Sequence, residues 1–124
     1  MSHEILKPTF ERNDSRGEFQ EVLNDGTWES LIRGRMEAGA TMGDHYHEKT
    51  TIFFYLSSGS ARVRTIHVET GRRDDFCLAG GQGVMLSVKE SHVIRFLEES
   101  EFIMLKSLRY NPADPDTFSF PVED

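Results

Sequence analysis

The sequence predicts an all-β protein: one small antiparallel barrel or sandwich, a single domain over residues 1–124. Three observations carry this expectation. Short apolar-rich segments recur along the chain, each closed by turn residues. No stretch repeats its apolar residues at the spacing of an amphipathic helix. The 124 residues are enough for one modest core, with nine Phe and one Trp as its bulkiest material.

The expected strands follow in order. EFQEVLN (18–24) ends in the turn NDGT, and ESLIRGRM (29–36) comes after it. TIFFYLS (51–57) is closed by SSGS, and SARVRTIHV (60–68) by ETGRRD. DFCLA (75–79) leads into AGGQG, GVMLSV (83–88) into KES, and HVIRFL (92–97) into EESE. EFIMLKSLRY (101–110) is the last. The Gly, Asn, Asp and Ser of the connections supply the positive φ angles and local hydrogen bonds of tight turns. The tail NPADPDTFSFPVED holds three of the four prolines, so it is expected along the outside rather than as a central strand.

Composition bounds the function. Hydrophobic residues make up 37% and charged residues 28%, which reads as a soluble globular chain. A formal charge of -7 argues against non-specific binding to nucleic acid or to an anionic membrane. The single cysteine, Cys77, has no intramolecular disulfide partner, which points to a reducing compartment. The segment MSHEILKPTF has no apolar run of signal-peptide length, and no stretch approaches a membrane span. The expected location is the cytoplasm.

Two of the five histidines flank a tyrosine in GDHYHEKTT (43–51). On a strand, His45 and His47 point to one side and Asp44 and Tyr46 to the other. In HVIRFL, His92 shares its face with Ile94 and Phe96. If that face is interior, three imidazoles converge on one cavity. Three neutral histidines make a plausible zinc or iron site.

The spacing around these histidines resembles the two-part signature of the cupin superfamily. The first part runs from Gly39 through His45, His47 and Ile52 to Gly59; the second runs from Gly81 through Ser87 and Lys89 to His92. The resemblance implies a small antiparallel jelly-roll barrel and a homodimer. Ile52 stands where the superfamily places a metal-binding glutamate, and Ser87 and Lys89 stand where it places a proline and a glycine.

Residues 13–21, NDSRGEFQE, add a second likeness. Asp14, Arg16, Gly17, Phe19 and Glu21 resemble the opening motif of cupin epimerases that act on nucleotide-linked 4-keto deoxysugars. Gly43, Asp44, His45 and Tyr46 are similar to the stretch of those enzymes that carries the catalytic base. The resemblance implies His45 as base and Arg16, Phe19 and Glu21 on the substrate, with the guanidinium serving its diphosphate. His92 is a further substrate donor, and Tyr55 is the expected acid. NPADPDTF (111–118) is similar to the tail of cupin domains in capsular-polysaccharide proteins, which carry a metal. The related sugar 3,4-ketoisomerases use paired histidines without one.

The expected activity is epimerisation or ketoisomerisation of a nucleotide-linked 4-keto sugar. A C4 ketone acidifies the proton at C3, and histidine is suited to removing it near neutral pH. With a metal on His45, His47 and His92, the base must be another group, because a coordinated nitrogen has no free lone pair. Without one, His45 is the base. Two other classes stay open: a metal-dependent cupin oxygenase or other small-molecule cupin enzyme, and a cupin that binds sugar without catalysis.

Overall fold

Alternation of apolar and polar side chains forces each strand to bury one face, and two sheets do this by packing against each other. A computed structural model of the chain describes residues 3–122. Among the described residues there is no helix. The strands are β1 (Phe10–Asp14), β2 (Gly17–Glu21), β3 (Ser30–Met36), β4 (Thr41–Tyr46) and β5 (Ile52–Ser58). They continue with β6 (Ser60–His67), β7 (Arg73–Ala79), β8 (Gln82–Leu86), β9 (Glu90–Phe96), β10 (Ser100–Lys106) and β11 (Phe118–Ser119). One sheet has the order β3-β10-β5-β8, the other β11-β4-β9-β6-β7, and all pairings are antiparallel.

The core lies between these sheets. Ile52, Phe54 and Leu56 of β5, Val84 and Leu86 of β8, and Phe102 and Met104 of β10 come from one side. Ala61, Val63, Leu78, Ile94 and Phe96 come from the other. Phe54, Phe96 and Phe102 form an aromatic knot, with ring centroids 5.4 to 6.3 Å apart. Each such side chain, fully buried, stabilises the fold by roughly 1.5–3 kcal/mol. The same alternation turns Phe53 and Tyr55 to the outer face of β5, where they are buried a second time.

The N-terminal arm ties the sheets together. The His3 ring meets the Asp74 carboxylate through Nδ1 at 2.6 Å and the Glu90 carboxylate through Nε2 at 2.8 Å. Three residues later in the arm's course, Leu6 exchanges backbone hydrogen bonds with Gly83 of β8, at 2.8 and 2.9 Å. The arm therefore runs from β7 and β9 of one sheet to β8 of the other.

Three elements depart from the sequence expectation. The segment 18–24 contributes only β2, paired with the unanticipated β1, and every residue of that hairpin is exposed. Among the described residues the hairpin joins neither sheet. The segment 101–110 leaves the sheet at Lys106. The tail runs outside, as expected, and adds the edge strand β11 to β4. It is pinned by Asp44, whose carbonyl accepts from Phe120 N–H and whose carboxylate accepts from Val122 N–H, both at 2.9 Å. Among the described residues no helix is long and apolar enough to cross a membrane.

Candidate active site

A bulge in β4 aims the histidines. The ladder to β9 pairs Gly43 with Val93 and then His45 with His92, leaving Asp44 as an extra residue. Gly43 has φ 120° and Asp44 φ 60°. A Cβ on Gly43 would lie 2.3 Å from the carbonyl oxygen of His92, so glycine is required there. Because Asp44 is skipped, Met42 and His45 reach the same cavity although they are three apart in sequence. His47 follows by ordinary alternation. On β9, His92 lies in phase with the buried Ile94 and Phe96.

The three imidazoles cluster as expected. Ring centroids are 4.8 Å apart for His45 and His92, 5.2 Å for His45 and His47, and 6.1 Å for His47 and His92. They line a cavity of about 280 Å³ whose other walls include Ile32, Met42, Ile52, Phe102, Met104 and Lys106. His45 is half-buried; His47 and His92 are buried.

Hydrogen bonds assign the ring nitrogens. Nδ1–H of His45 donates to the Gly43 carbonyl at 3.1 Å, which leaves Nε2 with the free lone pair. Nδ1–H of His47 donates to the Asp116 carbonyl at 2.6 Å, and its Nε2 is buried without a partner. Nδ1 of His92 is buried and unpartnered too. Burial is the main cause that pushes His92 down to about 3, and the neighbouring His45 and His47 add to it. Burial likewise holds His45 below the usual histidine range, with His47 and Lys106 acting in the same direction. Near neutral pH both are free bases.

Asp116 organises the loop that follows. Its carboxylate accepts from the amides of Glu48, Lys49 and Thr50 at 2.8, 3.1 and 3.0 Å and from the Thr50 hydroxyl at 2.8 Å. Burial works against its ionisation, but these donors outweigh it and hold the carboxyl below the usual range.

The other expected site residues lie elsewhere. Tyr55 does not meet the histidines: it faces outward from β5, stacked on Phe53 at 6.4 Å. Burial, with the nearby Glu11 adding to it, raises its phenol. Arg16, Phe19 and Glu21 are on the exposed hairpin, outside the histidine cavity. Arg16 is ion-paired with Asp14 at 2.7 Å, and Arg16 and Phe19 line a shallow recess of their own. Tyr46 faces away from the cavity and stacks on Phe118 at 5.4 Å.

Two residues were missed. Lys106 lines the cavity in phase with Phe102 and Met104, a period-two signal already present in FIMLK. Tyr110 borders an adjoining cavity of about 310 Å³ that shares His47 and Lys106 with the first.

A metal is a separate matter. The unpartnered nitrogens of His47 and His92 are the kind of atoms an ion would satisfy. Ile52 offers no donor, however, and among the described residues no group of three His, Cys, Asp or Glu is placed to hold an ion.

With the geometry established, likeness to known proteins places the chain. The family profile for the polysaccharide biosynthesis C-terminal domain matches residues 12–118. The chain belongs to that family. The chain is similar to the spore coat polysaccharide biosynthesis protein SpsL of Bacillus subtilis (strain 168), 26% identical over 135 aligned positions, covering 96% of this chain and 88% of that protein. The capsular polysaccharide assembling protein CapF of Staphylococcus aureus superposes with a TM-score of 0.72 at 25% identity. That match covers 91% of this chain but only 34% of CapF, so the chain spans about a third of that relative's length. The RmlC epimerase of Mycobacterium tuberculosis aligns with a TM-score of 0.74 at 22% identity, over 88% of this chain and 64% of the enzyme. The 3'-monoepimerase ChmJ of Streptomyces bikiniensis, solved with dTDP, gives 0.78 at 17%, over 94% of this chain and 68% of ChmJ. These last two likenesses show the fold, an RmlC-like cupin.

Proposed function

We propose that this chain is an isomerase that removes a proton next to the ketone of a nucleotide-linked 4-keto sugar, in polysaccharide or deoxysugar biosynthesis. One observation carries the reading: His45, its Nδ1–H on Gly43, presents a neutral Nε2 within a largely apolar cavity closed behind by His47 and His92. A base of this kind needs a lone pair, a pKa near or below the working pH, and shelter from bulk water. Family membership and the SpsL match support the biosynthetic setting. The epimerase structures add nucleotide sugars as the ligand class.

His45 takes the C3 proton. His92, neutral and buried beside it, orients the sugar. Tyr110 replaces Tyr55 as the acid, because of the three tyrosines only Tyr110 borders a cavity that includes His47 and Lys106. Reprotonation on the opposite face gives an epimer, and at another carbon a ketoisomer. Arg16 serves the diphosphate, and the homodimer expected from the sequence gives its exposed hairpin a surface to cover. The setting is cytoplasmic.

The test is wash-in of solvent deuterium at C3 of dTDP-4-keto-L-rhamnose, followed by proton NMR in D2O. Exchange catalysed by the wild type supports the reading. Binding without exchange would leave a sugar-binding cupin. Bound iron with oxygen uptake would instead point to an oxygenase.

A further inference from the structure

A cavity of about 360 Å³ lies beside the β6–β7 turn and shares no lining residue with the histidine cavity or the one adjoining it. Its walls are cross-strand pairs. Thr65 and His67 continue the inward face that Ala61 and Val63 begin on β6. Thr65 pairs with Asp74 of β7, and His67 with Glu90 of β9. Thr70 and Arg72 of the turn, Arg73 at the start of β7 and Ser87 just past β8 complete the lining, with His3 of the N-terminal arm.

The carboxylates of this cavity are fully engaged. Asp74 Oδ2 accepts from the backbone N–H of His3 at 2.8 Å and from its Nδ1–H at 2.6 Å, and Oδ1 accepts from the Asp75 amide at 3.0 Å. Glu90 Oε2 lies 2.8 Å from the other ring nitrogen of His3, and Oε1 accepts from the Ser87 amide at 3.2 Å. An imidazole with a carboxylate at each nitrogen donates from both, so His3 is an imidazolium and offsets one of the two negative charges. His67 Nδ1 accepts from the amides of Glu69 and Thr70, at 3.3 and 3.2 Å, which places a proton on Nε2. The groups that remain are donors: that Nε2–H, the hydroxyls of Thr65 and Ser87, and the guanidinium groups of Arg72 and Arg73. Among the described residues no carboxylate is paired with the Arg72 guanidinium. Two guanidinium charges thus face a single uncompensated carboxylate charge, in a chain whose formal net charge is -7.

We propose that this cavity is a second ligand site, apart from the reaction, which takes the phosphate oxygens of a phosphorylated small molecule. The inference goes beyond the keto-sugar reading and does not depend on it. A cation would find no free carboxylate oxygen there, and the hydroxyls of a neutral sugar would find few acceptors for their protons. Phosphate oxygens are all acceptors, and a guanidinium meets them with two parallel donors. The site is held by β6, β7 and β9, so its donors stand in place before a ligand arrives.

Pyrophosphate is the probe, added to the full chain at constant ionic strength while the histidine ring resonances are followed by NMR. The His67 resonances, assigned by their loss in His67→Gln, should shift and saturate at millimolar pyrophosphate. Arg72→Gln removes the fork from an exposed turn, and the affinity read at His67 should fall about tenfold, the scale of one charge-assisted contact. Arg72→Lys, which keeps a charge without the fork, should lose less. His3→Gln leaves both carboxylates uncompensated and should abolish the response. Arg16→Ala should leave it unchanged, because the exposed hairpin is a different place. Thermal midpoints establish that each variant is folded, and Arg72→Gln alone decides should His3→Gln unfold. A His67 shift that never saturates, or that vanishes at physiological salt, is charge screening and overturns the proposal. So does a folded Arg72→Gln with wild-type affinity, or a response lost in Arg16→Ala, which would put the anion on the hairpin.

Discussion

His45 and His47 sit two residues apart, yet different parts of the chain hold them. His45 leans on the Gly43 carbonyl of its own strand. His47 depends on a residue 69 positions away, the Asp116 carbonyl. The two therefore respond differently to substitution. His45→Asn keeps size and polarity but removes the base, so kcat for exchange should fall roughly a hundredfold to ten-thousandfold while dTDP affinity holds. A His45→Asn protein with wild-type kcat would take the base elsewhere. Asp116→Ala removes a carboxylate that accepts four hydrogen bonds and leaves alanine at φ 52°, where it is strained. The expected loss of stability is about 2–3 kcal/mol, read from the urea midpoint, while the main-chain carbonyl that accepts from His47 is retained. An unmoved midpoint would show that the loop 48–50 holds itself.

At the scale of elements, the hairpin β1–β2 is the part that can change without disturbing the core. All its residues are exposed, and among the described residues Arg16 is ion-paired with Asp14 alone. Arg16→Ala should weaken dTDP binding by about tenfold, the scale of a charge-assisted phosphate contact, and leave the thermal midpoint where it was. Unchanged affinity would reduce Arg16 to a turn residue. The hairpin also shows why some elements were hidden in the sequence. FERND (10–14) has no buried face, so no alternation marks it. β4 is broken by Gly43 and Asp44, and the period of two does not run through a bulge. TIFFYLS was legible as a strand but not as to which side faces in, because β5 is buried on both faces and an unbroken apolar run has no polar side to distinguish them. Tyr55 is the expected acid because Tyr46 is out of phase with His45, and no polar side of TIFFYLS marks Tyr55 as facing outward. The face shared by His92, Ile94 and Phe96 was legible, since Arg95 marks the outside, and the same reasoning extended to β10 finds Lys106. The contact between Asp116 and His47 follows from no local pattern; it exists only once the tail has packed.

For the whole molecule, histidines set opposing limits on pH. The hydrogen bond from Glu90 is the largest cause raising His3, with Asp74 adding and burial opposing. A raised folded pKa gives stability that is complete below the unfolded value near 6.5 and lost as pH rises through the folded one. His92 has the reverse sign. With a folded value of about 3, it stays neutral while the unfolded chain takes up a proton, so stability drains away as pH falls from about 6.5 toward 3. The urea midpoint should therefore peak near the ordinary histidine range. His3→Ala should flatten the alkaline side and His92→Gln the acid side, and slopes unchanged in both variants would refute this assignment. A last consequence concerns chain length. The ladder skips Asp44, so a chain lacking that one residue would still carry His45 and His47 on the inner side, because Gly43 and His45 already occupy successive rungs. What it would lose is the clip on Phe120 and Val122. The bulge thus lets deletion separate two things that point substitutions blur: which way the imidazoles point, and whether the C-terminal strap is there to brace one of them.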